Sequence, residues 1–146
     1  MVRKYQQGDA ELTAEYGIEI GRWAQYRDLG KLPFDAMWCV IPPGGTSNED
    51  CHPEIEFAVV VDGHASYESG GKDIDAPTGS VILLESEERH VIHNRSEERP
   101  LTILSIYWLP ENQQPEQQVS DGQPALAGSG AGRAATASEP GEERGE

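Results

Sequence analysis

The stretch "EDCHPEIEFAVVVDG", residues Glu49–Gly63, places five acidic residues, one cysteine and one histidine before and within an apolar run. The run "IEFAVVV" is short and rich in β-branched residues, which indicates a buried strand. His52 and Glu56 are four residues apart, and a straight strand would separate them by about 13 Å. Pro53 lies between them and favours a bend, because proline lacks the N–H that a central strand position requires. We therefore predict that Asp50 and His52 end one strand and that Glu56 opens the next.

Short apolar runs of the same kind recur between residues 34 and 110. They are "DAMWCVI", "IEFAVVV", "ASYES", "SVILLE", "HVIHN" and "LTILSIYWL", and turn sequences such as "PPGG" and "APTGS" separate them. Strands at about 10-residue spacing with turn signals between them are typical of a β-sandwich or a small β-barrel. No stretch in this region keeps a helical period, so we predict an all-β domain.

Composition divides the chain into three parts. Residues 1–33 are polar, and we interpret them as an N-terminal extension that contains one short strand within "GIEIGRWAQY". Residues 34–110 hold the β-domain. Residues 111–146 are rich in Gln, Ala, Gly and Glu, and they bury too little apolar surface to offset the entropy of ordering. This last part is predicted to be a disordered acidic tail or a linker.

Net charge and cysteine content indicate which partners, substrates and cellular location to expect. The 146-residue chain has a formal net charge of −15, which disfavours nucleic acid and anionic membranes because both select basic surfaces. The same charge favours a small-molecule substrate that is neutral or cationic. Cys39 and Cys51, in a chain that shows no secretory signal, indicate buried free thiols and a cytoplasmic location.

Two spaced motifs resemble those of the cupin family. The first family motif is G-x5-H-x-H-x3,4-E-x6-G, and the chain follows it from Gly44 to Gly63 with aspartate in place of the first histidine. The residues at the positions of the second motif are Gly71, Pro77, Gly79, His90 and Asn94. The resemblance covers residues 44–94 and implies a cupin-type jelly-roll β-barrel. Cupins commonly dimerise, so it also implies a homodimer.

The resemblance further implies a site for one divalent metal ion. By motif position the ligands are Asp50, His52, Glu56 and His90. Because the family usually has histidine at the position of Asp50, this residue is either a direct ligand or an acceptor that orients an imidazole. Mixed nitrogen and oxygen ligands suit Zn or Fe(II), and also Mn or Ni. Glu56 is expected to be the catalytic base.

The leading interpretation is a metal-dependent cupin enzyme that acts on a small polar metabolite inside the barrel. The resemblance implies isomerisation, cyclisation, rearrangement or oxygenation in bacterial secondary metabolism. One such reaction is the rearrangement of an N-hydroxylated amino-acid conjugate to a hydrazine, which forms an N–N bond. The alternative is a non-catalytic cupin module that binds metal or ligand as an effector sensor or a partner subunit.

Overall fold

The structure is a computed structural model, and it describes residues 1–115. These residues form nine strands and three short 3₁₀ helices, and they contain no α-helix. The strands are β1 (Thr13–Glu15), β2 (Ile18–Arg22), β3 (Asp35–Ile41), β4 (Ile55–Asp62), β5 (His64–Ser69), β6 (Lys72–Pro77), β7 (Val81–Leu84), β8 (Val91–Asn94) and β9 (Leu101–Trp108). The 3₁₀ helices are Gln7–Asp9, Trp23–Gln25 and Glu111–Gln113.

The strands form two antiparallel sheets around one core. The larger sheet has the order β1-β2-β3-β9-β4-β7, and the smaller has the order β6-β5-β8. Buried apolar residues from both sheets form a single cluster. Its least exposed members are Ile20, Ile41, Ala58, Val60, Ala65, Tyr67, Ala76, Leu101 and Ile103. This arrangement is a jelly-roll barrel, and it confirms the all-β prediction.

Alternation along two central strands brings polar groups into one end of the barrel. On β4 the buried residues are Glu56, Ala58 and Val60, as predicted from the sequence. On β9 the inward residues Leu101 and Ile103 are followed by the fully buried Ser105. Because successive side chains on a strand point to opposite faces, Glu56 and Ser105 share the interior with the apolar core.

The six predicted apolar runs all contain strands, but the sequence analysis missed strand β6. Only Ala76 of β6 is buried, so this edge strand shows neither an apolar run nor an alternating pattern. The predicted N-terminal extension contributes two strands instead of one. Its strand β2 pairs with β3 and continues the larger sheet. From residue 116 onward, the predicted tail lies outside the described residues.

Two motif residues have structural roles away from the barrel interior. Gly63 has a φ of 106°, and a Cβ atom there would lie 3.1 Å from Leu101 Cα; only glycine adopts this conformation in so little space. The buried Asn94 side chain donates to the carbonyl oxygens of Ile41, Pro42 and Arg99 at 3.1, 3.0 and 2.8 Å. Asn94 therefore joins the loops that follow β3 and β8. No helix among residues 1–115 is long and apolar enough to cross a membrane.

Candidate metal centre

The loop between β3 and β4 is held against the start of β8 by backbone hydrogen bonds. Asp50 and His90 exchange both of their N–H···O bonds, each 3.0 Å long, and form an isolated β-bridge. The chain then bends at Pro53, as predicted, before β4 begins at Ile55. Ser86 Oγ donates to the Pro53 carbonyl at 2.6 Å, so the segment after β7 supports the bend. Asp50 belongs to this bridge and not to a continuous strand.

Three of the four residues with predicted ligand roles form one compact group. Ligand atoms of Asp50, His52 and His90 all lie within 4.8 Å of one another. His90 is buried, and the other two residues are half-buried. Two imidazoles and one carboxylate form the donor set typical of non-haem Fe(II) sites, and these ligand types also suit Zn. The group is the result of the β-bridge at Asp50 and the bend that follows it.

Hydrogen bonds orient both imidazoles so that they can bind a metal. His52 Nδ1 lies 3.1 Å from the Glu54 carbonyl oxygen, and His90 Nδ1 lies 2.9 Å from the Glu88 carbonyl oxygen. A carbonyl oxygen only accepts, so each Nδ1 carries a proton and each neutral ring keeps its lone pair on Nε2. The rings are arranged edge to face with centroids 5.4 Å apart. Histidine ligands of metals are commonly oriented by such a hydrogen bond from Nδ1 to a carbonyl oxygen.

The Nε2 atom of His52 also lacks an aligned partner. It is buried and has no hydrogen-bond partner within residues 1–115. Glu56 Oε2 lies only 3.0 Å away, but the two groups make a close charged contact without hydrogen-bond alignment. A buried polar nitrogen without a hydrogen bond is uncommon in native proteins. The chemistry of the residues present therefore fits a bound metal ion.

Glu56 lies beside the group of three, not within it. Its carboxylate contacts His52 on one side and accepts a hydrogen bond from Ser105 Oγ on the other. Burial raises the pKa of Glu56, but the close contact with His52 and the hydrogen bond from Ser105 outweigh burial and lower the pKa overall. Contact with Glu56 in turn raises the pKa of the His52 imidazole to about 9, although burial acts in the opposite direction. In the metal-free chain this pair is a carboxylate and an imidazolium at neutral pH.

A pocket opens beside the site. Its volume is about 420 Å³, and three carboxylates line it, those of Asp50, Glu54 and Glu56. The other lining residues include Tyr16, Arg22 and Tyr107, which the sequence analysis did not assign to the site. A cavity of this size accommodates a small metabolite.

The structure revises the expectation for one cysteine. Cys39 and Cys51 are both free thiols, and Cys39 is buried as predicted, but Cys51 is exposed. Cys51 precedes His52 in the loop, and its side chain points away from the core toward Glu87. The alternation between inward and outward residues predicts this orientation, but the apolar run that follows suggested burial.

Comparisons with known proteins agree with this geometry. A family described as the cupin domain matches residues 37–107. A Cupin 2 conserved barrel domain protein from Salinispora arenicola is 25% identical with a TM-score of 0.61, and the match covers 74% of this chain and 87% of that one. A protein from Photorhabdus luminescens is 23% identical over the same shares, with a TM-score of 0.63. The comparison with curated proteins finds no match.

A third solved structure extends the similarity in fold. A predicted oxalate decarboxylase from Thermotoga maritima has a TM-score of 0.62 and 19% identity, and the match covers 74% of this chain and all of the other. At this identity the comparison shows the fold alone. Together with the family match, the barrel and the two motifs show that residues 37–107 of this chain form a domain of the cupin family.

Proposed function

We propose that this protein is a metal-dependent cupin enzyme that acts on a small polar metabolite in the pocket beside Asp50, His52 and His90. The observation that carries the proposal is the orientation of the two imidazoles. Each Nδ1 is engaged by a backbone carbonyl, and each Nε2 is left available next to the Asp50 carboxylate. A metal ligand needs both the fixed ring and the available Nε2, whereas a histidine that only packs in a core needs neither.

The metal site has the composition for Fe(II) or Zn, and Mn or Ni are the further candidates. With two neutral imidazoles and the Asp50 carboxylate as ligands, a divalent ion keeps a formal positive charge. The ion would supply Lewis acidity toward a chelating substrate. In this proposal Asp50 is a direct ligand, and Glu56 remains at the edge of the site as an additional ligand or as the base.

Glu56 is positioned to accept a proton from a bound substrate. It lines the pocket, and its pKa is lowered by the contact with His52 and the hydrogen bond from Ser105. A metal on His52 Nε2 would replace the imidazolium with another positive charge beside Glu56, so the carboxylate would stay ionised and able to accept a proton from an acidic group of the substrate. Ser105 Oγ keeps the carboxylate oriented in both states.

The proposed reactions are isomerisation, cyclisation, rearrangement or oxygenation in bacterial secondary metabolism. Rearrangement of an N-hydroxylated amino-acid conjugate, with formation of an N–N bond, is one member of this group. The three pocket carboxylates favour a substrate that is neutral overall or cationic. The two free thiols fit a reducing compartment such as the cytoplasm.

A homodimer is also part of the proposal, and the outer face of β4 and β7 supports it. Phe57, Val61, Val81 and Leu83 on this face are between 39% and 59% exposed. The outward positions of Ile55–Val61 and Val81–Leu84 carry no charge, although the chain as a whole has a net charge of −15, and Asp62 at the end of β4 pairs with Arg99. Two copies can therefore approach through this face with little repulsion, and they would remove its apolar surface from water.

Turnover by metal-loaded protein tests the enzyme proposal. Protein loaded with Fe(II) or Zn is incubated with pools of small amino-acid and hydroxy-acid conjugates, and products are detected by mass spectrometry together with oxygen consumption. We expect a product of unchanged mass or an oxygenated one, and we expect Glu56→Gln to bind the same compound with little turnover. A compound that binds without being converted by either protein would favour a non-catalytic sensor or partner subunit.

A further inference from the structure

The N-terminal hairpin of β1 and β2, residues Thr13–Arg22, supplies one wall of the pocket. Tyr16 at its turn and Arg22 at its end both line the 420 Å³ cavity. Both residues lie outside the part of the chain that matches the cupin domain, which begins at residue 37. The pocket therefore combines a metal centre from the matched part of the chain with a wall that is formed partly by residues preceding the match.

Strand pairing places Arg22 at the end of the barrel that contains the metal centre. Ile18 and Ile20 of β2 are buried, and Arg22 follows them on the same inward face. Across the sheet Arg22 pairs with Met37, and Met37 pairs with Ser105. Ser105 is hydrogen-bonded to Glu56, so a continuous row of inward side chains leads from Arg22 to the site.

Three contacts fix the guanidinium of Arg22 and leave some of its N–H donors free. Its Nη2 donates to Glu15 at 2.7 Å, and its Nη1 donates to Tyr107 Oη at 3.3 Å and contacts the Met37 sulfur at 3.7 Å. A guanidinium has five N–H groups, so these contacts leave part of its capacity unused. The Arg22 side chain is 37% exposed, which leaves the group open to the pocket. Arg22 is the one Lys or Arg among the lining residues that the structure describes.

Tyr107 adds a second donor to the same wall. Its hydroxyl oxygen accepts from Arg22, and within residues 1–115 the hydroxyl proton has no acceptor. Tyr107 lines the pocket and is half-buried. An acceptor-rich group in the pocket would satisfy both this O–H and the free N–H groups of Arg22.

The hairpin turn is held in a conformation that sets Tyr16 against the pocket. Tyr16 and Gly17 have φ values of 53° and 75°, as a two-residue type I′ turn requires. A positive φ is uncommon for tyrosine, and it is maintained here by contact with the site loop. Asn48 N donates to the Tyr16 carbonyl at 2.8 Å, two residues before the Asp50 bridge. The hairpin is thereby fastened to the loop that carries the metal ligands.

We propose that Arg22 and Tyr107 bind a carboxylate of the substrate while the opposite end of the substrate faces Asp50, His52 and His90. This inference rests on the proposed function and names the substrate class: a small zwitterionic, amino-acid-like molecule with a chelating α-amino-acid end and a distal carboxylate. Arg22 already pairs with Glu15, so the substrate carboxylate would use the N–H donors that Glu15 leaves free together with the Tyr107 O–H. A phosphate would place about two negative charges next to Asp50, Glu54 and Glu56. The amine of the zwitterion suits these same acids.

Matched amino acids test the carboxylate preference. Aspartate, asparagine and alanine share the same chelating end and differ only in the distal group. Their binding to Co(II)-loaded and to metal-free protein is measured by calorimetry, and the Co(II) absorption spectrum reports contact with the metal. We expect aspartate to bind about tenfold more tightly than asparagine, as a charge-assisted hydrogen bond provides. The net negative charge of the chain repels aspartate more than asparagine. It therefore opposes the expected preference and cannot be its cause.

Variants assign the preference to the wall. Arg22→Met should abolish the aspartate preference, and Tyr107→Phe should reduce it about threefold. Arg99→Met removes an exposed arginine that pairs with Asp62 away from the pocket, so it should leave the preference unchanged. Circular dichroism and metal affinity of each variant show that barrel and metal site are intact. Equal binding of aspartate and asparagine by the native protein, or an undiminished preference in Arg22→Met, would overturn the inference.

The outcomes separate this inference from the proposed function. Normal metal binding without an aspartate preference overturns only the carboxylate site. Failure of the native protein to bind metal overturns the proposed function. An Arg22-dependent aspartate preference in metal-free protein would then still support the carboxylate site, and its absence there would overturn both.

Discussion

Replacing Glu56 by glutamine tests the contact that controls the protonation of His52. In the metal-free chain, contact with Glu56 raises the pKa of His52 from 6.5 to about 9. The imidazole side chain is 19% exposed, so solvent screens this contact only in part. At about 1.4 kcal/mol for each pH unit, the difference corresponds to a net stabilisation of the His52 imidazolium by roughly 3 kcal/mol. Glutamine removes the negative charge but keeps the shape, so the pKa should fall well below 9, to the level at which burial opposes the remaining effects of Asp50 and the Glu54 carbonyl.

The same contact makes the stability of the metal-free protein depend on pH. His52 has a raised pKa in the folded state, so its contribution is fully present below pH 6.5 and is lost as the pH rises through about 9. The native protein should therefore lose up to about 3 kcal/mol of unfolding free energy between pH 6.5 and 9 from this pair. In Glu56→Gln, the contribution of His52 to the unfolding free energy should change little between pH 6.5 and 9.

NMR titration of the histidine ring protons measures the pKa, and urea unfolding at several pH values measures the stability. Glu54→Gln is a matched control, because Glu54 Oε2 lies 3.6 Å from His52 Nδ1 but the Glu54 backbone carbonyl, which stays, accepts the Nδ1 proton. This control should keep the His52 pKa near 9. A His52 pKa below 7 in the native metal-free protein, or an unchanged value in Glu56→Gln, would refute the reasoning.

Three further predictions concern the barrel and its assembly. Asn94→Ala leaves buried carbonyl groups without a donor and should lower the free energy of unfolding by about 2–4 kcal/mol, measured in urea; an unchanged midpoint would contradict the role of Asn94. Gly63→Ala should cost about 1–3 kcal/mol because of its positive φ and the nearby Leu101 backbone, whereas Gly8→Ala, with no atom near its Cβ, should be neutral in the same assay. Light scattering should give a dimer mass for the native protein and a monomer mass for Leu83→Glu, and a native monomer would rule out the proposed interface.

The sequence predicted the fold well because apolar runs and turn residues alternate strongly in it. β3 coincides with "DAMWCVI", and the other apolar runs differ from their strands by one or two residues. Strand β6 was missed because an edge strand with one buried residue has no apolar signature. The joining of β2 to the larger sheet was also missed, since strand pairing depends on contacts between distant residues.

The candidate site was predictable in part, through motif spacing and the bend at Pro53. Spacing identified Asp50, His52 and His90, which the structure brings together. It did not show that Glu56 lies next to His52 with Ser105 behind it, because this arrangement depends on the register between β4 and β9. Arg22 and Tyr107 could not be predicted as pocket residues, since each is an ordinary strand residue until the sheet order is known.

The metal content of protein purified without chelators, and then loaded with one metal, tests the central claim most directly. The account predicts about one equivalent per chain for the native protein, and a value close to zero for folded His52→Gln and His90→Gln variants. His93→Gln is the control, because His93 lies on β8 only three residues after His90 but contacts the exposed Glu68. Only a small fraction of an equivalent in the native protein, or native metal content in a folded His90→Gln variant, would contradict the assignment of Asp50, His52 and His90 as the metal centre.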